Sequence, residues 1–209
     1  MSSDSHKTGM KLSEILFRWK AAEQEKHQRE PGVIYVTDLL ECPLKRQYEE
    51  MFPEVAKAGF FNPVTLVGDI IHKGIQAIFD GALDAKFEVD GEIVLNSAKI
   101  RGRADMLMED RVVDFKFVRS TYRIPHLHHL LQVRLYMRMF NKPKGSLLYV
   151  ATDRITEIDE TVEPCLAKPM TDEEIVMLLT QKNAPMWAEW ECSVCQFSPC
   201  CSKARRGGE

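Results

Sequence analysis

Apolar residues recur at helical spacing in five stretches of the chain. In the first of these stretches, Leu12, Ile15 and Leu16 fall on one face of a helix. Pro31–Gly32 ends that helix, whereas Asn62–Pro63 opens a later one. Residues 171–174 have the capping-box sequence that begins a helix. The predicted helices cover about 11–29, 38–50, 62–83, 125–140 and 172–190, with Pro185 as a candidate break in the last.

Between the third and fourth helices the pattern changes to that of strands. Strands are predicted over 87–89, 92–95, 99–107, 111–118 and, after the fourth helix, 145–152. Asp90–Gly91 is a turn or bulge signal, and residues 108–110 form a tight hairpin connection. The order of helices, strands, helix, strand and helix predicts an α/β domain with a mixed β-sheet and one central helix.

Composition and charge narrow the class of protein. The 209 residues suffice for one sizeable domain, which we expect over 11–209 after a disordered lead at 1–10. No apolar run reaches the roughly 18 residues that a membrane helix needs, and residues 1–7 contain no apolar secretory segment. We therefore expect a cytoplasmic protein that does not bind membranes. A net charge of −3 requires any nucleic-acid binding to use local basic patches and bound metal.

Two predicted adjacent strands carry the most informative group of charges. Asp114 and Lys116 lie two residues apart on one face of a strand, and Asp105 lies near the end of the strand before it. Paired carboxylates are ligands for Mg²⁺, and a neighbouring lysine can orient water and neutralise phosphate charge. The alternative is a solvated hairpin, but the apolar neighbours of Asp114 and Lys116 predict a buried strand. The pattern therefore favours metal-dependent phosphodiester cleavage.

The cysteines predict a second metal centre. Cys192, Cys195, Cys200 and Cys201 fall within ten residues, a pattern typical of zinc or iron–sulfur ligation. Adjacent cysteines seldom bind one centre, so one of Cys200 and Cys201 is expected to be spare. The fourth ligand is then Cys42 or Cys165. Cys42 is the better candidate and would join the N-terminal helices to the C-terminal tail, whereas Cys165 is expected to be a buried apolar residue.

Further polar side chains are candidates to support the metal centre. Gln132 and Tyr136 share one face of the fourth helix and could contact phosphate or metal-bound water, although a solvated face is the alternative. His72 could be an extra ligand that favours Mn²⁺ beside Mg²⁺, or a hydrogen-bonded core histidine. A group of three histidines at the start of the fourth helix is expected at the surface or at the edge of the substrate site: His126, His128 and His129.

Taken in order, these motifs resemble a known family. The motifs are Gly68-x-x-x-His72, Gly102-Arg-Ala-Asp105, Asp114-Phe-Lys116, Gln132-x-x-x-Tyr136 and a divided set of cysteines, with Cys42 upstream and Cys192-x-x-Cys195 and Cys201 downstream. Together they resemble RecB-like nucleases of the PD-(D/E)XK superfamily. In particular they resemble the CRISPR-associated iron–sulfur exonucleases, the fourth Cas family. The second acid is Asp114 where many relatives carry Glu.

The resemblance implies a fold, a set of ligands and a substrate. The fold is a restriction-endonuclease-like core with N-terminal helices (11–62), a nuclease core (63–155) and a C-terminal helix and cysteine-rich region (156–209). The implied ligands of Mg²⁺ or Mn²⁺ are His72, Asp105, Asp114 and the carbonyl of Phe115. Lys116 would be catalytic, supported by Gln132 and Tyr136. The implied iron–sulfur ligands, for [4Fe–4S] in preference to [2Fe–2S], are Cys42, Cys192, Cys195 and Cys201.

The resemblance also implies a biological role. Family members are DNA exonucleases that act mainly on single strands, in some cases with duplex opening or nicking. They trim spacer precursors before the CRISPR integrase complex inserts them. Two alternatives remain open at the level of sequence. One is a RecB-like nuclease of recombination or repair, and the other is a zinc-stabilised nucleic-acid-binding module without catalysis.

Overall fold

The computed structural model describes residues 11–26, 29–188 and 190–205. The lead predicted at 1–10 lies outside the described residues. No helix within the described ranges is long and apolar enough to cross a membrane.

Short helices and one short strand make up the N-terminal part. Its elements are α1 (Leu12–Lys26), β1 (Val33–Tyr35), α2 (Val36–Leu39), α3 (Pro43–Met51), α4 (Pro53–Phe60) and α5 (Pro63–Phe79). The prediction of a single helix over 38–50 is wrong, because the helical backbone is interrupted between α2 and α3, at Cys42. Pro43 occupies the first position of α3, and a residue that precedes proline disfavours helical backbone. Strand β1 and helix α4 were not predicted.

A mixed sheet of six strands forms the centre of the protein. The remaining strands are β2 (Lys86–Leu95), β3 (Ala98–Leu107), β4 (Arg111–Val118), β5 (Lys144–Ala151) and β6 (Ile155–Ile158). Strand β3 pairs antiparallel with β2 along its whole length and parallel with β1 at one end. Strand β4 pairs with β3 antiparallel and with β5 parallel, and β6 closes the edge of the sheet.

The prediction of a turn or bulge at Asp90–Gly91 is wrong. Strand β2 is continuous there, and Gly91 pairs with Gly102 of β3. A Cβ atom on Gly91 would lie 2.5 Å from Cζ of Phe140, so this glycine permits close packing and does not form a turn. The turn between β2 and β3 lies at Asn96 and Ser97, both with positive φ, as tight hairpin turns require.

The C-terminal half contributes helices α6 (Leu127–Met139), α7 (Asp172–Leu179) and α8 (Glu191–Val194), with a 3₁₀ turn at Pro164–Ala167. The capping box predicted at Thr171 and Glu174 is present. The prediction that this helix continues to about 190 is wrong, since α7 ends at Leu179. Pro185 lies beyond it, and the indole nitrogen of Trp187 donates to the carbonyl of Leu40, 2.7 Å away. This tertiary contact draws the chain back to the N-terminal part.

Apolar side chains cover both faces of the sheet. On one face, Val112, Leu147 and Tyr149 belong to the same buried cluster as Val133 and Met137 of α6. On the other face, buried residues of β3 and β4 pack against α5: Met106, Val113 and Phe115 meet Ile75 and Phe79. The strands between α5 and α6 are therefore buried on both faces, which limits the mobility of any side chain that they carry.

Arg134 of α6 connects the central helix to α7. Its guanidinium donates to both carboxylate oxygens of Glu174, at 2.9 and 2.8 Å, and to the carbonyl of Lys168 at 2.9 Å. The Arg134 hydrogen bonds lower the pKa of Glu174 below its usual 4.5. Arg138, one turn later, makes a comparable pair with Asp172, but both of those side chains are about half exposed.

We expect Arg134→Ala to lower the free energy of unfolding by about 2 kcal/mol, because it removes a bidentate pair and a carbonyl contact. Arg138→Ala is the matched control and should cost no more than about 0.5 kcal/mol. Urea unfolding measures both values. Equal losses for the two variants would contradict this assignment.

The same pair predicts a pH dependence. Because the pKa of Glu174 is lowered in the folded state, its carboxylate stabilises the fold fully above pH 4.5, and this stabilisation is lost as the pH falls through the folded-state pKa. The difference in the free energy of unfolding between wild type and Arg134→Ala should therefore shrink on acidification.

Candidate functional site

The candidate site lies where β3 and β4 separate. These strands share only the register pairs Met106–Val113 and Leu107–Val112. Beyond them, Oδ2 of Asp105 accepts the backbone N–H of Phe115 at 2.6 Å. A side-chain carboxylate thus takes the place of a main-chain acceptor, which satisfies the N–H and holds Asp105 beside β4.

Asp114 is the most buried acid of the site, with 2% of its side chain exposed. Its Oδ2 lies 2.7 Å from Nζ of Lys116, as the two-residue spacing on one strand predicted. Burial raises the pKa of Asp114 to about 6, against the opposing effect of Lys116. Among the described residues, no group donates a well-aligned hydrogen bond to this buried oxygen. The ion pair with Lys116 therefore compensates the charge of this buried carboxylate.

His72 reaches the same acids from α5. Its Nδ1 lies 3.4 Å from Oδ1 of Asp105, and its ring meets the edge of the Phe115 ring. Burial favours the neutral imidazole, but the hydrogen bond and charge of Asp105 outweigh burial and raise the pKa of His72. His72 is therefore part of the acidic group and not an independent core histidine.

Helix α6 supplies Gln132 and Tyr136 from the other side. Lys116 Nζ donates to Oε1 of Gln132 at 2.9 Å, and Nε2 of Gln132 donates to the hydroxyl of Tyr136 at 3.2 Å. Tyr136 is 4% exposed and packs against Gly102, where a Cβ atom would lie 2.7 Å from the tyrosine ring. The alternative of a solvated helix face is wrong. These contacts fix the position of the lysine amine.

The acids and histidine fit a hard divalent cation in chemical type. Carboxylate oxygens and one imidazole suit Mg²⁺ or Mn²⁺, and the buried Asp114 carboxylate needs a positive partner, which is the Lys116 ammonium in this structure. In the described part of the chain, no three His, Cys, Asp or Glu side chains stand close enough together to bind a single ion. Each acid is instead engaged by a protein group: Lys116 for Asp114, and the Phe115 N–H for Asp105. A cation would have to compete with Lys116 for Asp114.

The cysteines lie in a second place. One cavity between α3 and the C-terminal segment is lined by Cys42, Cys192, Cys195 and Cys201, together with Lys45. All described cysteines are free thiols. Cys200 is exposed and directs its Sγ to the carbonyl of Phe197 instead. Cys165 lies in the 3₁₀ turn and packs against the core, where burial raises its pKa to about 11. The cavity therefore gathers the four cysteines that the resemblance implied and leaves out the other two.

Glu191 is a residue of this region that sequence reasoning missed. Its carboxylate is 6% exposed and accepts the backbone N–H groups of Cys42 and Trp187. It thereby connects residues that are 149 positions apart in the chain. The only signal in the sequence was an acid directly before Cys192, which charge patterning alone does not distinguish from a surface residue.

We expect Glu191→Ala to lower the free energy of unfolding by about 2–3 kcal/mol, because it leaves two N–H groups without their acceptor. Urea unfolding monitored by tryptophan fluorescence measures this loss. The control is Glu173→Ala, an exposed acid of α7, which should change stability by no more than about 0.5 kcal/mol. If both variants lose the same amount, Glu191 does not join the two ends of the chain.

Comparison with known proteins identifies the family of the chain. The family model of the PD-(D/E)XK nuclease superfamily matches residues 73–202. The chain is 32% identical over 201 residues to the CRISPR-associated exonuclease Cas4 of Saccharolobus solfataricus, covering 91% of this chain and 97% of that protein. The crystal structure of SSO0001 superposes with a TM-score of 0.84 at 32% identity, covering 93% of this chain and 97% of the other. The predicted nuclease fold is confirmed, and the chain belongs to the Cas4 family of CRISPR-associated exonucleases within the PD-(D/E)XK nuclease superfamily.

Proposed function

We propose that the protein is a DNA exonuclease that depends on Mg²⁺ or Mn²⁺ and degrades single strands. The observation that carries this proposal is the buried Asp114 carboxylate paired with Lys116, next to Asp105, whose carboxylate accepts the Phe115 N–H. A member of a nuclease superfamily with that arrangement has the groups that phosphodiester hydrolysis needs. The same centre could also nick duplex DNA after local opening of the strands.

The metal ligands in this proposal are His72, Asp105, Asp114 and the carbonyl of Phe115. A bound Mg²⁺ or Mn²⁺ ion would supply Lewis-acid stabilisation of the scissile phosphate and lower the pKa of a bound water. The Phe115 N–H keeps the Asp105 carboxylate turned toward β4, and Asp105 in turn orients the imidazole of His72.

Lys116 has the central role among the protein groups. With a cation on the carboxylates, the Lys116 amine would no longer be needed as the partner of Asp114, and it would be available to hold the attacking water or to neutralise charge on the phosphate. Gln132 accepts a hydrogen bond from the amine and so limits where the amine can move, while the Tyr136 hydroxyl accepts a hydrogen bond from the Gln132 amide and holds it in place. Because the Gln132 amide is uncharged, it orients the Lys116 amine without neutralising its positive charge.

The cysteine-lined cavity is proposed to hold an iron–sulfur cluster, [4Fe–4S] in preference to [2Fe–2S], on Cys42, Cys192, Cys195 and Cys201. These four cysteines line the cavity and Cys200 does not, which supports this assignment, although the described side chains do not themselves converge on a single ion. Hydrolysis transfers no electron, so the cluster would be structural and would secure the C-terminal segment to α3.

The biological role is proposed from the family. The S. solfataricus relative is a CRISPR-associated exonuclease, and the role proposed for this chain is the trimming of spacer precursors during CRISPR adaptation. The partner would be the CRISPR integrase complex, with single-stranded or partly duplex DNA as substrate.

We expect Lys116→Ala and Asp114→Asn to lower the cleavage rate at least 100-fold, since each removes a group that acts on the scissile phosphate. End-labelled single-stranded DNA with Mn²⁺ is the substrate, and gel shift in Ca²⁺ should show that both variants still bind it. Lys86→Ala, an exposed lysine of β2, is the control and should cleave at the wild-type rate. Full activity in either site variant would refute the assignment.

We expect Cys192→Ser to lose visible absorption and iron content together with thermal stability, because it removes a thiolate that the cluster requires. Cys200→Ser should keep all of these properties, because its thiol does not line the cavity. Absorption spectra, iron and sulfide analysis, and melting curves of proteins purified without oxygen make the comparison. A wild-type protein that contains zinc and no iron would refute the cluster.

A further inference from the structure

The first turn of α6 carries an aromatic cluster that the proposed mechanism does not use. His126, His128 and His129 meet three aromatic residues from β5 and from the segment before α8: Tyr149, Trp187 and Trp190. The ring centroids of His128 and Trp190 are 5.0 Å apart, with the planes tilted by 37°. Nδ1 of His129 lies 2.9 Å from the hydroxyl of Tyr149. The cluster thus has defined contacts and is not a set of independent surface histidines.

This cluster borders the candidate active centre. His128 lies four residues before Gln132, which accepts a hydrogen bond from Lys116, so the two side chains share one face of α6. The separation along the helix is about 6 Å. Tyr149 is the register partner of Lys116 across β4 and β5. A nucleotide next to a phosphate bound at Asp105 and Asp114 would therefore reach the cluster.

The chemistry of the cluster suits a flat, uncharged ligand. Burial lowers the pKa of His128 to about 4 and also lowers the pKa of His126 and of His129. The rings are therefore neutral near pH 7 and do not form a cationic site for phosphate. Within the described ranges they also do not form a group able to hold a metal ion.

Trp190 leaves part of the cluster open to solvent. Its side chain is 40% exposed, so part of its ring is accessible to a ligand. It lies on His128 on one side, and Cys192 two residues later lines the cysteine cavity. Trp190 is therefore held between the two proposed centres.

We propose that Trp190 and His128 form a stacking platform for an unpaired nucleobase of the strand whose phosphate is cleaved. This inference rests on the proposed function, since the ligand is the DNA substrate itself. Aromatic side chains bind bases by stacking with little regard to sequence, which suits an enzyme that moves along a strand. A base that is paired and stacked within a duplex cannot reach the platform, so the platform also explains a preference for single-stranded ends.

The test is a double-mutant cycle that combines a substitution in the protein with an abasic nucleotide in the DNA. Fluorescence anisotropy in Ca²⁺ measures the binding of a labelled single-stranded oligonucleotide and of versions with one abasic nucleotide at successive positions. We expect Trp190→Ala to weaken binding of the intact oligonucleotide about tenfold, and Trp190→Phe to restore most of it. One abasic position should weaken wild-type binding by a similar factor and should not weaken Trp190→Ala further. Val194→Ala, an exposed apolar residue of α8, is the control and should bind as wild type.

Two outcomes would overturn the platform. One is that Trp190→Ala lowers the affinity, relative to wild type, by the same factor for intact and for abasic DNA. This would mean that Trp190 acts only through the fold. The other is a wild-type protein that is insensitive to an abasic nucleotide at every position, and this measurement does not depend on the stability of a variant. A wild-type protein that cleaves DNA but gives either outcome refutes the platform alone, whereas a wild-type protein that cleaves no DNA refutes the proposed function.

Discussion

Strands β3 and β4 run together for two register pairs, and then the carboxylate of Asp105 accepts the N–H of Phe115 where a main-chain carbonyl would otherwise do so. A hydrogen bond from an amide to a carboxylate contributes about 1.5–3 kcal/mol, so this contact links β4 to β3 beyond the point where their main-chain pairing ends. The contact places Asp105 next to the strand that carries Asp114 and Lys116, and the other oxygen of Asp105 lies 3.4 Å from His72 on α5. The reactive groups therefore depend on one side chain that replaces a backbone acceptor.

Helix α6 connects that centre to the rest of the molecule. Gln132 and Tyr136 face the lysine, Arg134 binds α7, and the first turn carries the aromatic cluster. The C-terminal segment returns over this helix through Trp187 and Trp190 and then supplies three of the cysteines that line the cavity. Glu191 joins that segment to Cys42. Loss of the cysteine cavity would therefore disturb the surface beside the active centre as well as the stability of the fold.

Sequence reasoning located β4 at 111–118, since its apolar residues cover both faces, and located α6 and β5 within two residues at either end. The spacing of Asp114, Lys116, Gln132 and Tyr136 also placed these side chains correctly. Elements that depend on distant contacts were missed: β1 is only three residues long and exists because β3 pairs with it. Gly91 was misread because the ring of Phe140, which excludes any side chain there, is 49 positions away in sequence. For the same reason, neither the role of Glu191 nor the contact of His128 with Trp190 could be predicted.

Crystals soaked in Mn²⁺, with anomalous diffraction recorded at the manganese edge, test the metal centre most directly. We expect a peak about 2.1 Å from oxygens of both Asp105 and Asp114, close to His72, with the Lys116 amine displaced from Asp114 and retained by Gln132. The absence of a peak at saturating Mn²⁺, with Asp114 still paired to Lys116, would contradict the assignment of these acids as metal ligands.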